Sequence, residues 1–239
     1  MIEELERIIN ESDNIVFFGG AGVSTESGIP DFRSQDGLYN QKYDYPPELI
    51  LSDRFFYYNY DEFYRFYFDK MIYPDIKPNY THEFLSKLES MGKLKAIVTQ
   101  NIDNLHEQAG SKNIYHIHGT INTNHCVNCN KEYSLDDILK MDKVICTCGG
   151  MIKPDVVLYG EMLPEEAFNK SIEAIGNADT LIVGGTSLTV YPAAGMINAF
   201  NGKNLIIINK DPVNVRCTLQ INDKLGETFK KLNIGGKNE

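Results

Sequence analysis

The sequence lacks the basic clusters and the long apolar runs that mark nucleic-acid-binding and membrane proteins. Its 239 residues include 23 lysines and arginines against 33 acidic residues, for a formal net charge of -10. Proteins grip phosphate backbones through clustered cations, so we expect no direct binding to nucleic acid. Such a charge favours a cationic partner, for instance a lysine-bearing polypeptide.

No stretch approaches the roughly 18 apolar residues of a membrane span. The acidic N-terminus, Met1–Arg7, differs from the basic and then apolar start of a signal peptide. We therefore expect a cytoplasmic protein with no membrane partner. Because a reducing cytosol does not sustain structural disulfides, the five cysteines are expected to be thiols or metal ligands. Cys217, far from the other four, is expected to be a small buried apolar residue.

Short apolar runs alternate with segments of helical periodicity. A helical pattern over residues 2–11 precedes an apolar run at 14–18, and similar runs occupy 95–99, 180–185 and 204–209. Continuous apolar strands that alternate with helices predict an α/β fold, in which a Rossmann-like parallel sheet carries helices on both faces.

Two stretches interrupt this alternation. Residues 36–73 are rich in tyrosine and phenylalanine, and residues 121–153 carry four cysteines. We predict that the first is a helical insertion and the second a zinc-binding module, together forming a smaller domain. The Rossmann-like domain would then comprise residues 1–35, 74–120 and 154–239.

Glycine or polar residues follow each predicted strand, at positions 20–22, 100–103, 184–187 and 209–211. Ligands of parallel sheets bind at the carboxyl ends of the strands, so these positions predict one binding crevice.

The first glycine-rich turn matches part of the dinucleotide fingerprint G-x-G-x-x-G. Gly20 and Gly22 fit, but Thr25 stands at the third glycine and Asn40 where an acidic residue would hold the ribose. This disfavours a hydride-transferring dehydrogenase while leaving a backbone nest for a pyrophosphate. A strand-to-helix turn without a ligand explains the glycine pair equally well.

The four clustered cysteines are Cys126 and Cys129, then Cys146 and Cys148. A redox pair, a catalytic metal and a structural zinc are the alternatives. Four thiolates leave no open position on a tetrahedral zinc, which favours a structural site.

Seven ordered motifs resemble those of the sirtuins, the NAD-dependent protein lysine deacylases. They are Gly20-Ala-Gly-Val-Ser24, Gly28-Ile-Pro-Asp-Phe-Arg33, Thr99-Gln-Asn-Ile-Asp103, His118-Gly119, the four cysteines, Gly185-Thr-Ser187 and Asn209-Lys210. The similarity covers about residues 15–223, and the stretch 155–161 is similar to the compact bacterial members. One departure is Cys146-Thr-Cys148, where the family usually has Cys-x-x-Cys, and it puts the zinc affinity in question.

The resemblance implies an NAD-dependent protein lysine deacetylase, in which the acyl group of acyl-lysine moves to ADP-ribose and nicotinamide is released. It implies NAD as co-substrate, one structural Zn²⁺ per chain, and an acetyl-lysine protein or peptide as partner. The peptide would add as a strand between main-chain groups near residues 157–161 and 187–190.

The resemblance also implies roles for individual residues. His118 would be the base that draws a proton from the ribose hydroxyls, a task suited to a side chain whose ordinary pKa is about 6.5. Asn101 would order water and backbone beside it. The implied cofactor contacts are Phe32, Ile102 and Asp103 for nicotinamide, Gln100 and His118 for its ribose, Ala21, Thr25 and Arg33 for the phosphates and loop, and Thr186, Ser187, Asn209 and Asp223 for adenosine.

The remaining histidines, His82, His106, His116 and His125, are expected to be surface or packing residues. For the acyl group, the family members that favour succinyl carry an Arg three residues after a Tyr, whereas this chain has Tyr67 after Tyr64. Burying a carboxylate without that cation is costly, which predicts acetyl or another uncharged acyl group. Simple aromatic packing of both tyrosines is compatible with that prediction.

Two other functions stay open from sequence. One is a protein ADP-ribosyltransferase that uses the same NAD site. The other is a noncatalytic NAD-responsive or zinc-scaffold module, whose mark would be loss of His118 or Asp103, and both residues are present.

Overall fold

The computed structural model describes residues 1–32, 37–38 and 43–235. The strands are β1 (Ile15–Gly19), β2 (Leu94–Thr99), β3 (Ile114–His116), β4 (Gly119–Cys126), β5 (Glu132–Ser134), β6 (Ile152–Val156), β7 (Thr180–Gly184), β8 (Asn204–Asn209) and β9 (Leu219–Asn222). The α-helices are α1 (Ile2–Glu11), α2 (Pro47–Ile50), α3 (Asp53–Tyr58), α4 (Tyr60–Lys70), α5 (Tyr80–Ser90), α6 (Leu105–Gln108), α7 (Leu135–Leu139), α8 (Glu165–Asn177) and α9 (Leu225–Phe229). Within the described ranges, no helix has the length and apolar character needed to cross a membrane.

A parallel sheet in the order β3-β2-β1-β7-β8-β9 forms the centre of the molecule. Every residue of β1 and β7 is buried, because apolar clusters cover both faces of the sheet. That two-sided burial explains the continuous apolar runs and confirms the predicted Rossmann-like α/β fold. The pattern does not predict β3 or β9, whose short segments are only partly buried and include polar side chains.

The register of the sheet brings the strand ends to one edge. Gly19, the last residue of β1, pairs with Thr99 of β2 on one side and with Gly184 of β7 on the other. On the far side of β7, Asn209 of β8 pairs with Asn222 of β9. The loops that follow these strands therefore open at a common edge, as the sequence predicts.

A second, antiparallel sheet has the order β5-β4-β6. Aromatic side chains of α3 and α4, including Phe56 and Phe63, share one buried cluster with Ile138 and Ile152 of the cysteine-bearing segment. The Tyr64 hydroxyl donates to the Ile152 carbonyl oxygen at 2.8 Å. The aromatic segment and the cysteine-bearing segment thus share a core.

Two histidines lie buried between α5 and α6. The His82 and His106 rings are 0% and 1% exposed, with centroids 4.7 Å apart. The Asn79 backbone N–H donates to His82 Nδ1 at 3.2 Å, which completes a capping box at the start of α5. Burial lowers the pKa of His82 to about 4 and holds the pKa of His106 well below its usual value. Both rings are therefore neutral at pH 7, and both are packing residues, as expected.

Because His82 and His106 are buried in the neutral form, we predict that the free energy of unfolding falls in mild acid. Their pKa values are lower in the folded state than the ordinary 6.5, so below that pH the unfolded chain takes up protons first. The stabilising contribution is complete above about pH 6.5 and declines as the pH falls towards 4, by on the order of 3 kcal/mol for His82. Urea unfolding between pH 7.5 and pH 5 measures this slope.

A His82→Gln variant is the control for that measurement. Glutamine keeps an acceptor for the Asn79 N–H but does not titrate. Subtracting the pH dependence of the variant's unfolding free energy from that of the wild type therefore isolates the contribution of His82. The variant is expected to have the shallower slope. Equal slopes in the two proteins would contradict the assignment to His82.

Candidate functional site

Two glycine-containing turns touch at the carboxyl edge of the parallel sheet. The Gly22 N–H donates to the Gly185 carbonyl oxygen at 2.8 Å, and a Cβ on Gly22 would lie 2.7 Å from the Gly185 Cα. Gly185 itself has φ +62°, which a residue with a side chain rarely adopts. Close packing of the two turns therefore requires glycine at positions 22 and 185. The turn after β1 continues as two short 3₁₀ helices, Ala21–Val23 and Thr25–Ser27.

Ser24 connects two of the predicted site residues. Its hydroxyl donates to Asp103 Oδ2 at 2.8 Å and accepts from Asn101 Nδ2 at 3.0 Å. Ser24 is 1% exposed and Asn101 is 9% exposed. Ser24 ends the first of the sirtuin-like motifs, and the sequence predicts no role for it. Only the fold shows that it joins the loop after β1 to the loop after β2.

The Asp103 carboxyl lies at the centre of this network. Burial raises its pKa above the usual range, while the Leu105 backbone N–H, 3.1 Å from Oδ1, and the Ser24 hydroxyl favour the charged form. A partly desolvated carboxylate of this kind gains from each further donor that a ligand brings. An amide group is one such donor.

His118 precedes β4 and lies against the loop after β2. Its Nδ1 is 3.0 Å from the Gln100 carbonyl oxygen, which can only accept, so Nδ1 carries the proton and Nε2 has a free lone pair. Among the residues that the structure describes, Nε2 has no hydrogen-bond partner. Burial lowers the pKa of His118, and the Gln100 carbonyl opposes this in part. The ring is therefore mostly neutral at pH 7 and able to accept a proton at Nε2.

A second chain of hydrogen bonds crosses from β2 to β8. Gln100 Nε2 donates to the Thr186 hydroxyl at 3.0 Å, and the Thr186 N–H donates to Asn209 Oδ1 at 3.0 Å. Asn209 Nδ2 returns a bond to the Thr186 carbonyl oxygen at 2.5 Å. Three predicted contacts are thus held in one network. Ser187 is exposed beside Thr189, with their hydroxyls 2.7 Å apart.

The other predicted cofactor contacts vary in position. Phe32 and Ile102 pack, partly buried, against the cluster that contains the aromatic helices. Ala21 is half-buried and Thr25 is exposed at the glycine turn. Asp223 follows β9 and forms an ion pair with Lys231 at 2.8 Å, outside both networks. Arg33 lies outside the described residues.

The four cysteine sulfurs converge at one point on the small sheet. Every pair of their Sγ atoms lies within 4.8 Å, and the Cys126–Cys148 and Cys129–Cys146 pairs are 3.5 Å and 3.6 Å apart. These separations exceed a disulfide bond. They approach the ~3.8 Å between sulfurs that a tetrahedral zinc with ~2.3 Å Zn–S bonds requires. The donor set therefore fits zinc.

The backbone and one tyrosine support the short Cys146-Thr-Cys148 spacing. Gly149 has φ +82°, and a Cβ on Gly150 would lie 2.8 Å from Cys126 Sγ, so the chain turns tightly beneath the sulfurs. The Cys148 N–H and the Tyr133 hydroxyl, the latter 3.1 Å from Cys146 Sγ, lower the pKa of Cys146 to about 5. This stabilises the thiolate that a metal binds.

Cys217 lies apart from this cluster. It is half-buried beside the apolar cluster under β8, and not fully buried as predicted, because it sits in the loop that leads into β9 at the edge of the sheet.

The fold and the site define a Rossmann-like α/β protein with polar networks at the carboxyl edge of its sheet and a separate cluster of four cysteines that fits a metal ion. The chain belongs to the Sir2 family, whose model, described as "Sir2 family", matches residues 20–192. It is 54% identical to the NAD-dependent protein deacetylase of Clostridium acetobutylicum, over 95% of this chain and 96% of that protein.

A second relative and a solved structure agree with this. The NAD-dependent protein deacetylase of Clostridium perfringens is 55% identical over 97% of this chain and 98% of that protein. A solved structure described as Sir2–p53 peptide–NAD+ matches with a TM-score of 0.85 and 38% identity, over 97% of this chain and 96% of that one. The similarity therefore extends over nearly the full length of the chain.

Proposed function

We propose that this protein is an NAD-dependent protein lysine deacetylase, which transfers the acetyl group of acetyl-lysine to ADP-ribose with release of nicotinamide. The observation that carries this proposal is the Nδ1-protonated His118, which the Gln100 carbonyl holds against the loop after β2 and whose Nε2 has no hydrogen-bond partner among the described residues. The names of the relatives and the NAD and peptide of the similar structure support the same activity. None of the five cysteines, all of which the structure describes, forms a disulfide, and this is compatible with a cytoplasmic location, which we also propose.

His118 is proposed as the base. With Nδ1 held by the Gln100 carbonyl, the ring presents Nε2 in the neutral form and takes up the proton of a ribose hydroxyl there. The lowered pKa keeps most of the rings neutral at physiological pH. The carbonyl contact also stabilises the imidazolium that forms after proton transfer, since Nδ1–H remains its donor.

Asp103 and Asn101 are proposed to orient the nicotinamide end of NAD. The Asp103 carboxylate would accept from the carboxamide N–H, and Ser24 would keep that carboxylate and the Asn101 side chain in place. Asn101 would also order water near the reacting ribose. The partly buried Phe32 and Ile102 would supply the apolar walls that exclude bulk water.

The rest of the dinucleotide is proposed to lie along the turns after β1, β7 and β8. Ala21, Thr25 and Arg33 would contact the phosphates and the covering loop, and Gln100 the nicotinamide ribose. Thr186, Ser187 and Asn209 would hold the adenosine end, with Asp223 joining them by releasing Lys231. At Asp223, adenosine would therefore have to displace Lys231 from its ion pair with the carboxylate.

The four cysteines are proposed to hold one structural Zn²⁺ that stabilises the small sheet, with Tyr133 supporting Cys146. We also propose the division into a Rossmann-like NAD-binding domain, residues 1–35, 74–120 and 154–239, and a small domain, residues 36–73 and 121–153. The shared core of the aromatic helices and the cysteine-bearing segment supports that division.

An assay of nicotinamide release tests the proposed function. Release from NAD is expected to require an acetyl-lysine peptide, and mass spectrometry of the products is expected to find deacetylated peptide and acetyl-ADP-ribose. The alternative, a protein ADP-ribosyltransferase, would give a protein heavier by ADP-ribose instead. Absence of peptide-dependent release would overturn the deacetylase assignment.

Acyl preference gives a further prediction. Tyr64 and Tyr67 are 5% and 1% exposed, and among the described residues the buried Tyr67 hydroxyl has no hydrogen-bond partner. Burial raises the pKa of this hydroxyl, and the charge that acts on it, that of the Asp155 anion, raises the pKa further. A carboxylate that entered this region would be desolvated without compensation. We expect kcat/KM for an acetyl-lysine peptide to exceed that for the matched succinyl-lysine peptide by at least about tenfold. Faster turnover of the succinyl peptide would refute the prediction.

A further inference from the structure

An ion pair between Lys153 and Glu161 links β6 to the end of the segment that follows it, residues 157–161. Lys153, on β6, places its Nζ 3.0 Å from Glu161 Oε2, 3.0 Å from the Val156 carbonyl oxygen and 3.2 Å from the Pro154 carbonyl oxygen. An ammonium group has three protons, and these three oxygens can accept all of them. The Lys153 and Glu161 side chains are only 18% and 26% exposed, so water screens their attraction less than it would at the surface.

The same carboxylate fastens the middle of the segment. Glu161 Oε2 accepts the Leu158 backbone N–H at 2.8 Å, and the Glu161 N–H donates to the Leu158 carbonyl oxygen at 3.0 Å. Gly160, at φ +98°, permits the turn between them. Lys153 and Glu161 therefore tie the start of the segment to its end, and we call this pair the Lys153–Glu161 clamp.

The clamped segment lies between the proposed base and the aromatic helices. The Val157 N–H donates to the His118 carbonyl oxygen at 2.9 Å. The Tyr159 N–H donates to the Leu51 carbonyl oxygen at 2.9 Å, and the Asp53 N–H donates to the Tyr159 carbonyl oxygen at 3.0 Å. A displacement of this segment would thus move the surface beside His118.

We propose that the Lys153–Glu161 clamp is a positioning device that holds residues 157–161 in the conformation that recognises the acyl-lysine peptide. This inference rests on the proposed function, because it takes the peptide to pair with main-chain groups of that segment. Neither clamp residue bonds to His118, Asn101 or Asp103 among the contacts of the described residues. We therefore expect loss of the clamp to act mainly on peptide binding, because the hydrogen bonds of Ser24 and Gln100 in the NAD site do not involve either clamp residue.

The physical reason is the cost of ordering. Without the clamp, the segment samples more conformations in the free protein, and a peptide that pairs with it must restrict them on binding. The entropy lost in ordering the segment weakens binding of the peptide. The proposed NAD contacts lie on loops to which Lys153 and Glu161 make no hydrogen bond among the described contacts. A Lys153→Arg variant retains the cation and its donors, whereas Lys153→Met retains only a stem of similar length.

Steady-state kinetics of these variants tests the clamp. We expect Lys153→Met to raise KM for the acetyl peptide by about 5- to 30-fold, with KM for NAD and kcat within about twofold of wild type. Lys153→Arg is expected to remain within about threefold on every parameter. The matched control is Lys170→Met, which removes the ion pair between Lys170 and Glu166. Because these side chains are 53% and 81% exposed, respectively, the control should leave all kinetic parameters unchanged.

Direct binding separates the clamp from the enzymatic assignment. Fluorescence anisotropy of a labelled acetyl-lysine peptide is expected to give a weaker Kd for Lys153→Met by the same factor, whether or not turnover occurs. Failed turnover in the wild type together with peptide binding that depends on Lys153 would remove the proposed function and keep the clamp. The clamp would be overturned if Lys153→Met bound the peptide as tightly as the wild type, or if the wild type did not bind the peptide at all. Equal rises in KM for the peptide and for NAD in Lys153→Met, together with loss of zinc, would also overturn it.

Discussion

Replacing His118 by alanine is expected to reduce deacetylation by at least a factor of about 10² to 10⁴, the range that a positioned general base contributes. The ring accepts a proton at Nε2 in the proposed mechanism, and alanine offers no acceptor there. The fold should persist, because His118 is only partly buried and its side chain makes a single hydrogen bond, to the Gln100 carbonyl, among the described contacts. Nicotinamide release with saturating NAD and acetyl peptide measures the loss.

His116 supplies the matched control for that experiment. It lies two positions earlier, and its Nε2 is already engaged with Glu107 Oε1 at 2.6 Å, so it cannot serve as the base. A His116→Gln variant is expected to retain most of the activity, while His118→Ala loses it with unchanged zinc content and circular dichroism. Near-normal turnover by His118→Ala would remove the proposed base.

Substituting Cys146 by serine is expected to lower the zinc content from one per chain to nearly none. Binding of structural zinc contributes about 10 to 16 kcal/mol in small zinc domains, and a hydroxyl does not replace a thiolate ligand. The clusters on the two faces of the parallel sheet contain none of the four cysteines among their described residues, so we expect that sheet to stay folded while the small sheet unfolds. Elemental analysis and circular dichroism measure the two effects.

Cys217 provides the control for the zinc experiment, since it is a thiol outside the cluster. A Cys217→Ser variant should keep one zinc per chain and full activity. Because β6 pairs with β4 of the small sheet and leads into residues 157–161, the Cys146→Ser variant is also expected to lose peptide turnover. Retention of one zinc per chain by Cys146→Ser would exclude this cysteine as a ligand.

The sequence predicts the parallel sheet well because two-sided burial produces runs that are apolar at every position, as in β1 and β7. It predicts the cysteine cluster because thiolate ligands of zinc follow short spacings along the chain. The antiparallel sheet of β4, β5 and β6 escapes prediction, since its strands mix apolar, polar and exposed residues and its register includes an irregularity.

What the sequence cannot supply is the set of contacts between distant residues. Ser24 joins Asn101 and Asp103 across 77 and 79 positions, and no local pattern indicates that bond. The tautomer of His118 likewise depends on the Gln100 carbonyl, 18 positions away, which becomes a neighbour only after β2 and β4 are placed. The Lys153–Glu161 pair is closer in sequence, but the ion pair depends on the turn at Gly160, which brings the Glu161 carboxylate back towards β6.

Among the described hydrogen bonds of His118, those on either side of it use main-chain atoms of its neighbours. The Gln100 carbonyl oxygen accepts from its ring, and its own carbonyl oxygen accepts the Val157 N–H, so neither bond uses the side chain of the neighbouring residue. Side-chain substitutions at position 100 or 157 are therefore expected to leave the imidazole in the same orientation. Proline is the exception at both positions, because it would remove the N–H that residue 157 donates to the His118 carbonyl oxygen or the N–H that residue 100 donates to the Gly19 carbonyl oxygen. The orientation of the proposed base is in this respect insensitive to the side chains beside it, although the Gln100 side chain has its own bond to Thr186 in the NAD site.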